Sequence, residues 1–169
     1  MADMLVNLIK IVDYHIEVER LKKEGVEIFR ALAPDKIRIV EWVKANSSIY
    51  AAGECDVCFS NRPISCFIAA KGSEILGYAC YNATGLDFFG PTRVLESYQG
   101  KGIGKALLLR SLQAMRDEGY LYAIIGGVGP IKFYEKCVGA VVIESSKEHN
   151  VYENFLAARE REENKSTKE

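Results

Sequence analysis

Gln99-Gly100-Lys101-Gly102-Ile103-Gly104-Lys105 places glycine at three alternate positions, so several backbone N–H groups in succession are uncovered by side chains. A run of this kind invites an anion. Immediately after it, Ile103, Ala106, Leu107, Leu109, Leu112 and Met115 recur at helical spacing, with Lys105, Arg110, Gln113, Arg116 and Asp117 largely between them. That spacing predicts an amphipathic helix. Before the run, Phe88, Phe89, Val94 and Leu95 with few charges predict a strand. The unit is therefore strand, glycine loop, helix, and a helix N-terminus reached this way binds phosphate.

The rest of the chain sets bounds on that reading. Its 169 residues, 49% of them hydrophobic, are enough for a single buried core, and one domain is expected over residues 1–156 with a charged tail over 157–169. No apolar run approaches the roughly 18 residues of a membrane helix, and Met1-Ala-Asp-Met-Leu5 lacks the basic start of a secretory signal. A cytoplasmic protein without a membrane partner is expected. With 22 basic and 23 acidic side chains there is no net positive field to favour nucleic acid, so an anionic ligand has to be held locally. Five cysteines without an export signal argue against a disulfide framework. Cys55-Asp-Val-Cys58 with Cys66 nearby has the look of half a zinc site, but no second close pair exists and neither His15 nor His149 follows at finger spacing. Small reduced thiols are the favoured reading, and no metal is expected.

Taken in order, Leu5 to Val12 reads as a strand or part of a short helix, and Ile16 to Glu24 as a surface helix stopped by Gly25. Val26 to Leu32 has partial strand alternation, and Pro34 suits the first turn of a helix running to Ala45. Residues 47–63 read as irregular. Ser65–Lys71 and Glu74–Asn82 are apolar strands joined by Gly72-Ser73, a pair suited to a type II′ hairpin turn. The third strand, Leu86 to Leu95, contains Gly90-Pro91, and proline cannot donate to a ladder, so a bulge or break is expected there. Beyond the long helix, Tyr120–Ile125 reads as a strand stopped by Gly126-Gly127. Pro130 opens a short helix that Gly139 caps, and Ala140–Glu144 is a further strand. Tyr152–Leu156 either completes the sheet or starts a helix, and from Arg159 a frayed helix or disordered tail is expected.

Two nucleotide motifs fail against the glycine loop. A Walker-type loop needs Gly-Lys followed by Ser or Thr, but Ala106 follows Gly104-Lys105 and position 99 is Gln. A dinucleotide fingerprint starting at Gly100 and Gly102 leaves Lys105 where its last glycine belongs, and hairpins rather than a βαβ unit precede it. What remains, Gln99-Gly-Lys-Gly-Ile-Gly104 after Val94 and Tyr98 and before a leucine-rich helix, resembles the pyrophosphate motif Gln/Arg-x-x-Gly-x-Gly/Ala of the GNAT superfamily of acyl-CoA-dependent N-acyltransferases. The resemblance covers about residues 65–144, including Phe133-Tyr134-Glu-Lys136 and Gly139-Ala140.

That resemblance implies a mixed α/β (α+β) fold: a central, mostly antiparallel twisted sheet, splayed at the coenzyme-binding strands, with helices on both faces. It implies acetyl-CoA as cosubstrate, its diphosphate on the backbone of Gln99, Gly100, Lys101, Gly102, Ile103, Gly104 and Lys105, and the two lysines adding local charge. The amide of Val94 or Leu95 would polarise the acetyl carbonyl. Tyr134 stands where many members place the acid that protonates the departing thiolate. For the base, Glu96 beside the loop is the first candidate, with Glu54, Asp56 and Asp87 as rivals. Where the family often has asparagine this chain has Gly127, so a side-chain contact to the pantetheine is missing or replaced by backbone. The acceptor region is expected over about residues 36–61 and 145–151, with Trp42, Tyr50, Glu54, Phe88 and Tyr81 as candidate lining, although core packing is the default for each aromatic. The reading is an N-acetyltransferase acting by direct transfer to a small-molecule or peptide amine. A non-catalytic coenzyme A-binding regulatory module is the alternative and a nucleotide-binding protein the third, while a homodimer stays open.

Overall fold

The computed structural model describes residues 1–166. In chain order its elements are β1 (Ala2–Asn7), α1 (His15–Lys23), β2 (Glu27–Arg30), α2 (Lys36–Asn46), α3 (Ile49–Cys58), β3 (Cys66–Lys71), β4 (Glu74–Tyr81), β5 (Phe88–Val94), α4 (Ile103–Asp117), β6 (Tyr122–Val128), α5 (Ile131–Val138), β7 (Val141–Ile143) and α6 (Leu156–Ser166). The strands form one open sheet in the order β2-β3-β4-β5-β6-β1-β7. Every neighbouring pair is antiparallel except β5 with β6, which are parallel. This is the mixed, mostly antiparallel sheet that the resemblance implied.

Both faces of the sheet are covered, which explains why β3 and β4 are almost continuously apolar rather than alternating. Phe67, Ala69, Leu76 and Tyr81 pack with α4 in one core, whereas Cys66, Ile68, Ala70, Ile75, Tyr78 and Cys80 pack with α2 and α3 in another. Leu107, Leu108 and Leu112 of α4 are fully buried, each stabilising the fold by on the order of 2 kcal/mol. The β3–β4 turn has Gly72 at φ 58 and Ser73 outside the left-handed region, the type II′ pattern that Gly72-Ser73 predicts.

The structure differs from the sequence reading at residues 49–58 and along β6, and it chooses between the alternatives left open for the C-terminal segments. Residues 49–58, expected to be irregular, form α3: the Ser48 side chain caps it by accepting from Ala51 N at 3.0 Å. The buried side is built from Ala51, Ala52, Cys55 and Cys58, residues too small to give a strong apolar stripe. Strand β6 does not stop at Gly126-Gly127 but continues to Val128, because β1 pairs along it as far as Ala2↔Val128. Of the two alternatives for residues 152–156, the helix holds: α6 starts at Leu156, and the segment does not complete the sheet. The N-terminal β1 fills that place, between β6 and β7, with Leu5 paired to both Ile124 and Val141. The charged segment from Arg159 continues α6 to Ser166, and residues 167–169 lie outside the described residues.

Candidate active site

The site is a fork in the sheet. Strand β5 pairs with β6 only at Phe88↔Ile124 and Phe89↔Ile125. Beyond that point Gly90-Pro91 bulges β5, and the strand stays with β4 through Ala79↔Thr92, Tyr78↔Arg93 and Gly77↔Val94 while β6 follows β1. The expected break at Pro91 is thus a parting of two strands. Backbone direction alternates along a strand, and Leu95 N–H is spent on Leu76 O at 2.9 Å. The N–H groups of Thr92 and Val94 therefore point away from β4 into the gap. Of the two candidate carbonyl-polarising amides, Val94 faces the fork and Leu95 is held in the ladder.

A groove of about 860 Å³ runs along the fork, lined among others by Thr92, Val94, Gln99, Gly104, Phe133 and Tyr134. A smaller cavity of about 260 Å³, lined by Pro91, Gly126, Gly127 and Tyr152, shares Tyr134 with it. Tyr134 therefore stands at the junction of the two spaces.

At the groove's other end, a single 3₁₀ turn (Glu96–Tyr98) leads into the glycine loop, where Gly100 and Gly102 adopt φ 76 and φ 87. Those conformations turn the chain so that α4 begins at Ile103 with neither a side-chain cap nor an acidic residue in its first turn. The first intrahelical bond is Ala106 N to Gly102 O at 3.0 Å, so the N–H groups of Ile103, Gly104 and Lys105 have no partner within the helix. With the helix dipole, they give this end of the groove unpaired donors and a positive electrostatic character. The Ile103 side chain is buried in the core, which leaves only its N–H for a ligand.

The lysines behave differently from the expectation that both simply add charge. Lys105 Nζ, although it lines the groove, is held 2.7 Å from Glu17 Oε1 on α1. That hydrogen bond, and then the charges of Lys105 and Arg20, hold the Glu17 carboxyl below the usual glutamate range despite partial burial. Lys101 lies over the Tyr98 ring at 4.8 Å and does not line the groove. Arg20 Nη2 donates to Lys101 O at 2.7 Å, and a Cβ on Gly102 would lie 2.2 Å from that same nitrogen. Glycine at 102 is thus favoured by its φ, while a Cβ there would also displace the end of the Arg20 side chain from Lys101 O. Arg93 and Lys136, basic residues that the motif did not single out, also line the groove.

Tyr134 is 6% exposed, and among the described residues its hydroxyl has no hydrogen-bond partner. Its ring is wedged against Phe133 and Phe89, with centroids at 5.0 and 6.5 Å. Burial pushes the phenol up to about 12, so it carries its proton throughout the neutral range.

Among the described residues, no carboxylate lines either space. Glu96 is not brought to the fork: its side chain is 87% exposed, with Arg93 4.0 Å away. Asp56 is paired with Lys36 at the surface at 3.0 Å. Asp87, at φ 71, has Oδ1 buried without a partner among the described residues, and its carboxyl is raised by burial, but it lines neither space. Glu54 on α3 accepts from Thr84 Oγ1 at 2.6 Å and from Tyr152 OH at 3.0 Å, and Tyr152 lines the smaller cavity. Burial, opposed by the Thr84 hydrogen bond, pushes the Tyr152 phenol up to about 12.

Tyr152 is the residue that sequence reasoning missed. A Cβ at Gly127 would lie 2.8 Å from the Tyr152 ring, and Gly127 N donates to Asp3 Oδ1 at 2.8 Å. The space of the expected asparagine is occupied by Tyr152, and the Gly127 amide is already engaged. The unusual glycine was the one signal that pointed there. Among the aromatics proposed for the acceptor region, Tyr81 is fully buried and bonded to Arg30 and Glu118, and Trp42 packs edge-on to Tyr78 at 6.0 Å, so both are structural. Tyr50 packs on Phe155, which also touches Tyr152, and Phe88 lies over Gly126.

Comparisons with known proteins agree with this architecture. A model of the acetyltransferase (GNAT) family matches residues 26–140. No curated protein sequence matches the chain. Among solved structures, a GCN5-related glucosamine N-acetyltransferase region of a fungal multi-domain GH3 beta-N-acetylglucosaminidase is 12% identical with a TM-score of 0.67, covering 83% of this chain and 19% of that one. A GCN5-related N-acetyltransferase from Sphaerobacter thermophilus is 17% identical with a TM-score of 0.59, covering 83% of this chain and 47% of that one. A GNAT family acetyltransferase from Brucella melitensis, in complex with acetyl-CoA, is 19% identical with a TM-score of 0.52, covering 66% of this chain and 80% of that one. The chain thus spans about a fifth of the fungal protein and just under half of the Sphaerobacter one. At these identities the likeness is one of fold, and the family match over most of the chain, joined to the parted strands and the glycine loop, makes this protein a member of the acetyltransferase (GNAT) family.

Proposed function

We propose that the chain is an N-acetyltransferase that moves the acetyl group of acetyl-CoA directly onto a primary amine of a small molecule or peptide. The observation that carries this reading is the groove itself: an uncapped helix N-terminus at one end, unpaired β5 amides along one wall and, at the junction, a phenol whose hydroxyl has no partner among the described residues. The diphosphate is assigned to the amides of Gly100 through Lys105, because the Gln99 N–H, also a candidate from the motif, is spent on Glu96 O at 3.2 Å. The pantetheine lies along Thr92–Val94 as a stand-in for the missing strand. Val94 N–H donates to the acetyl carbonyl oxygen. The neutral amine attacks the carbonyl carbon, the N–C bond forms as the C–S bond breaks, Tyr134 gives its proton to the departing sulfur, and the proton shed by the acylated nitrogen passes through solvent to restore the Tyr134 phenol. An amine arriving as ammonium must lose a proton first, and the route assigned to it is through Tyr152 to Glu54 rather than to Glu96. We assign the activity to residues 1–156 and the setting to the cytoplasm, where the free thiols stay reduced.

The test is direct: thermal stabilisation by acetyl-CoA, then thiol release over a panel of polyamines, amino sugars and peptide N-termini. Stabilisation with release on at least one amine supports the reading. Stabilisation with no release on any amine favours a coenzyme A-binding regulatory module, and stabilisation by ATP or NAD but not coenzyme A overturns both.

A further inference from the structure

On the sheet face opposite α4, four of the five cysteines enter one core, and three of them converge. Cys66 and Cys80 face each other across β3 and β4, and Cys55 comes down onto them from α3. Their three sulfur atoms lie within 4.8 Å of one another, and each residue is 0% exposed. None is in a disulfide. Cys58, one turn beyond Cys55, aims its sulfur at the carbonyl oxygens of Glu54 and Tyr81, at 3.9 and 4.0 Å, and is not one of the three. Chance burial of small apolar thiols accounts for each cysteine singly. It does not account for three of them, from three elements, aimed at one point.

We propose that Cys55, Cys66 and Cys80 form a three-sulfur site for a soft monovalent metal ion of the copper(I) type. An ion bonded to three sulfurs at about 2.3 Å in one plane separates them by about 4.0 Å, which movements of well under an ångström in these side chains deliver. Thiolate-only ligation selects soft ions. The choice of copper(I) over zinc follows from the fourth ligand: structural zinc takes four, and Cys58, although it lies beside Cys80, is not within 4.8 Å of all three sulfurs, while the surrounding residues, Ala51, Ala52, Phe59 and Tyr78 among them, are apolar or turned elsewhere. The metal forms three metal–sulfur bonds, and the three thiol protons leave to solvent without any change of oxidation state. The bound ion ties α3 to the centre of the sheet, on the face away from the coenzyme groove and independently of what that groove binds.

The experiment titrates the reduced full-length chain anaerobically with copper(I) against a chromogenic chelator, followed by X-ray absorption at the copper edge to read the ligand shell. Expected are one ion per chain, a shell of three sulfurs, a rise in melting temperature on loading, and an affinity that falls at least about 100-fold in Cys66→Ala and in Cys80→Ala. Cys137→Ala and Cys58→Ala should retain wild-type affinity within about threefold. The proposal is overturned if the chelator keeps the copper, if the shell contains nitrogen or oxygen in place of the three sulfurs, if Cys137→Ala abolishes uptake, or if zinc binds as tightly. Because the absorption spectrum is taken on the unaltered protein, it decides the matter even where a core variant fails to fold.

Discussion

Replacing Tyr134 by Phe separates a chemical role from a packing role more cleanly here than a tyrosine substitution usually does. The hydroxyl has no protein partner among the described residues, so its loss leaves no donor or acceptor orphaned, and Phe keeps the ring against Phe89 and Phe133. Folding stability should change by less than about 0.5 kcal/mol, and the coenzyme dissociation constant by less than about twofold. The loss falls on proton delivery. A thiol releases its proton near pH ~8.5, whereas burial holds the Tyr134 phenol up at about 12. The transfer is therefore uphill even to the fully formed thiolate, so the phenol acts mainly by donating a hydrogen bond to the sulfur as negative charge grows on it in the transition state. General acids contribute ~10²–10⁴-fold, and because a thiolate is already a fair leaving group the lower end applies. A fall of ~100-fold in kcat corresponds to about 2.7 kcal/mol. The pH dependence follows in sign: a raised phenol stays protonated as pH rises through the ordinary tyrosine range, so kcat should show no alkaline decline from this group below pH ~10. The assay is steady-state thiol release from pH 6 to 10, alongside calorimetric coenzyme binding. A kcat within threefold of wild type, a parallel loss of coenzyme affinity, or an alkaline limb near pH ~8.5 that disappears in the Phe variant would refute the assignment.

Gly102→Ala forces a Cβ onto φ 87 and against Arg20 Nη2. The expected outcome is a loss of on the order of 1–2 kcal/mol in stability and weaker coenzyme binding, read by denaturant melts and calorimetry. Glu17→Gln releases Lys105, so coenzyme affinity should rise a few-fold at low salt and the gain should vanish near 1 M salt, as expected for a screened charge. Because the Glu17 carboxyl is held below its ordinary value, first by the Lys105 hydrogen bond, its stabilisation is present above the unfolded glutamate range and disappears as pH falls through the depressed folded value. Acid melts below pH ~4.5 should accordingly cost wild type roughly 0.2–1 kcal/mol more than the Gln variant. Glu54→Gln and Tyr152→Phe should each lower kcat/KM for the amine and shift its acidic limb, leaving coenzyme binding intact, while Glu96→Gln should leave kcat/KM within about twofold.

Local features of the site were legible because they depend on local chemistry. The left-handed Gly100 and Gly102, the turn at Gly72-Ser73, the bulge at Gly90-Pro91 and the cap at Gly139 are all positions where backbone conformation selects the residue. The long helix α4 was legible from its period. What was not legible depended on distant partners. The helix α3 buries alanine and cysteine, which leave a weak periodic signal, and Glu96 looked close to the chemistry only because it is close in sequence to the loop. The pairing of Lys105 with Glu17 spans 88 residues and has no sequence signature.

By itself the sequence determined the strand–loop–helix unit, its glycine turns and the tyrosine in the short helix α5, because glycine spacing, proline and helical period act over a few residues. Only the tertiary structure decided which amide is free, which lysine is neutralised and which ring fills the space beside Gly127. It also decided that β1, first in the chain, lies between β6 and β7. These outcomes depend on side chains and backbone brought together from opposite ends of the chain, as Tyr152, Glu54 and Asp3 are around Gly127. Strand pairing and burial, rather than local propensity, select them.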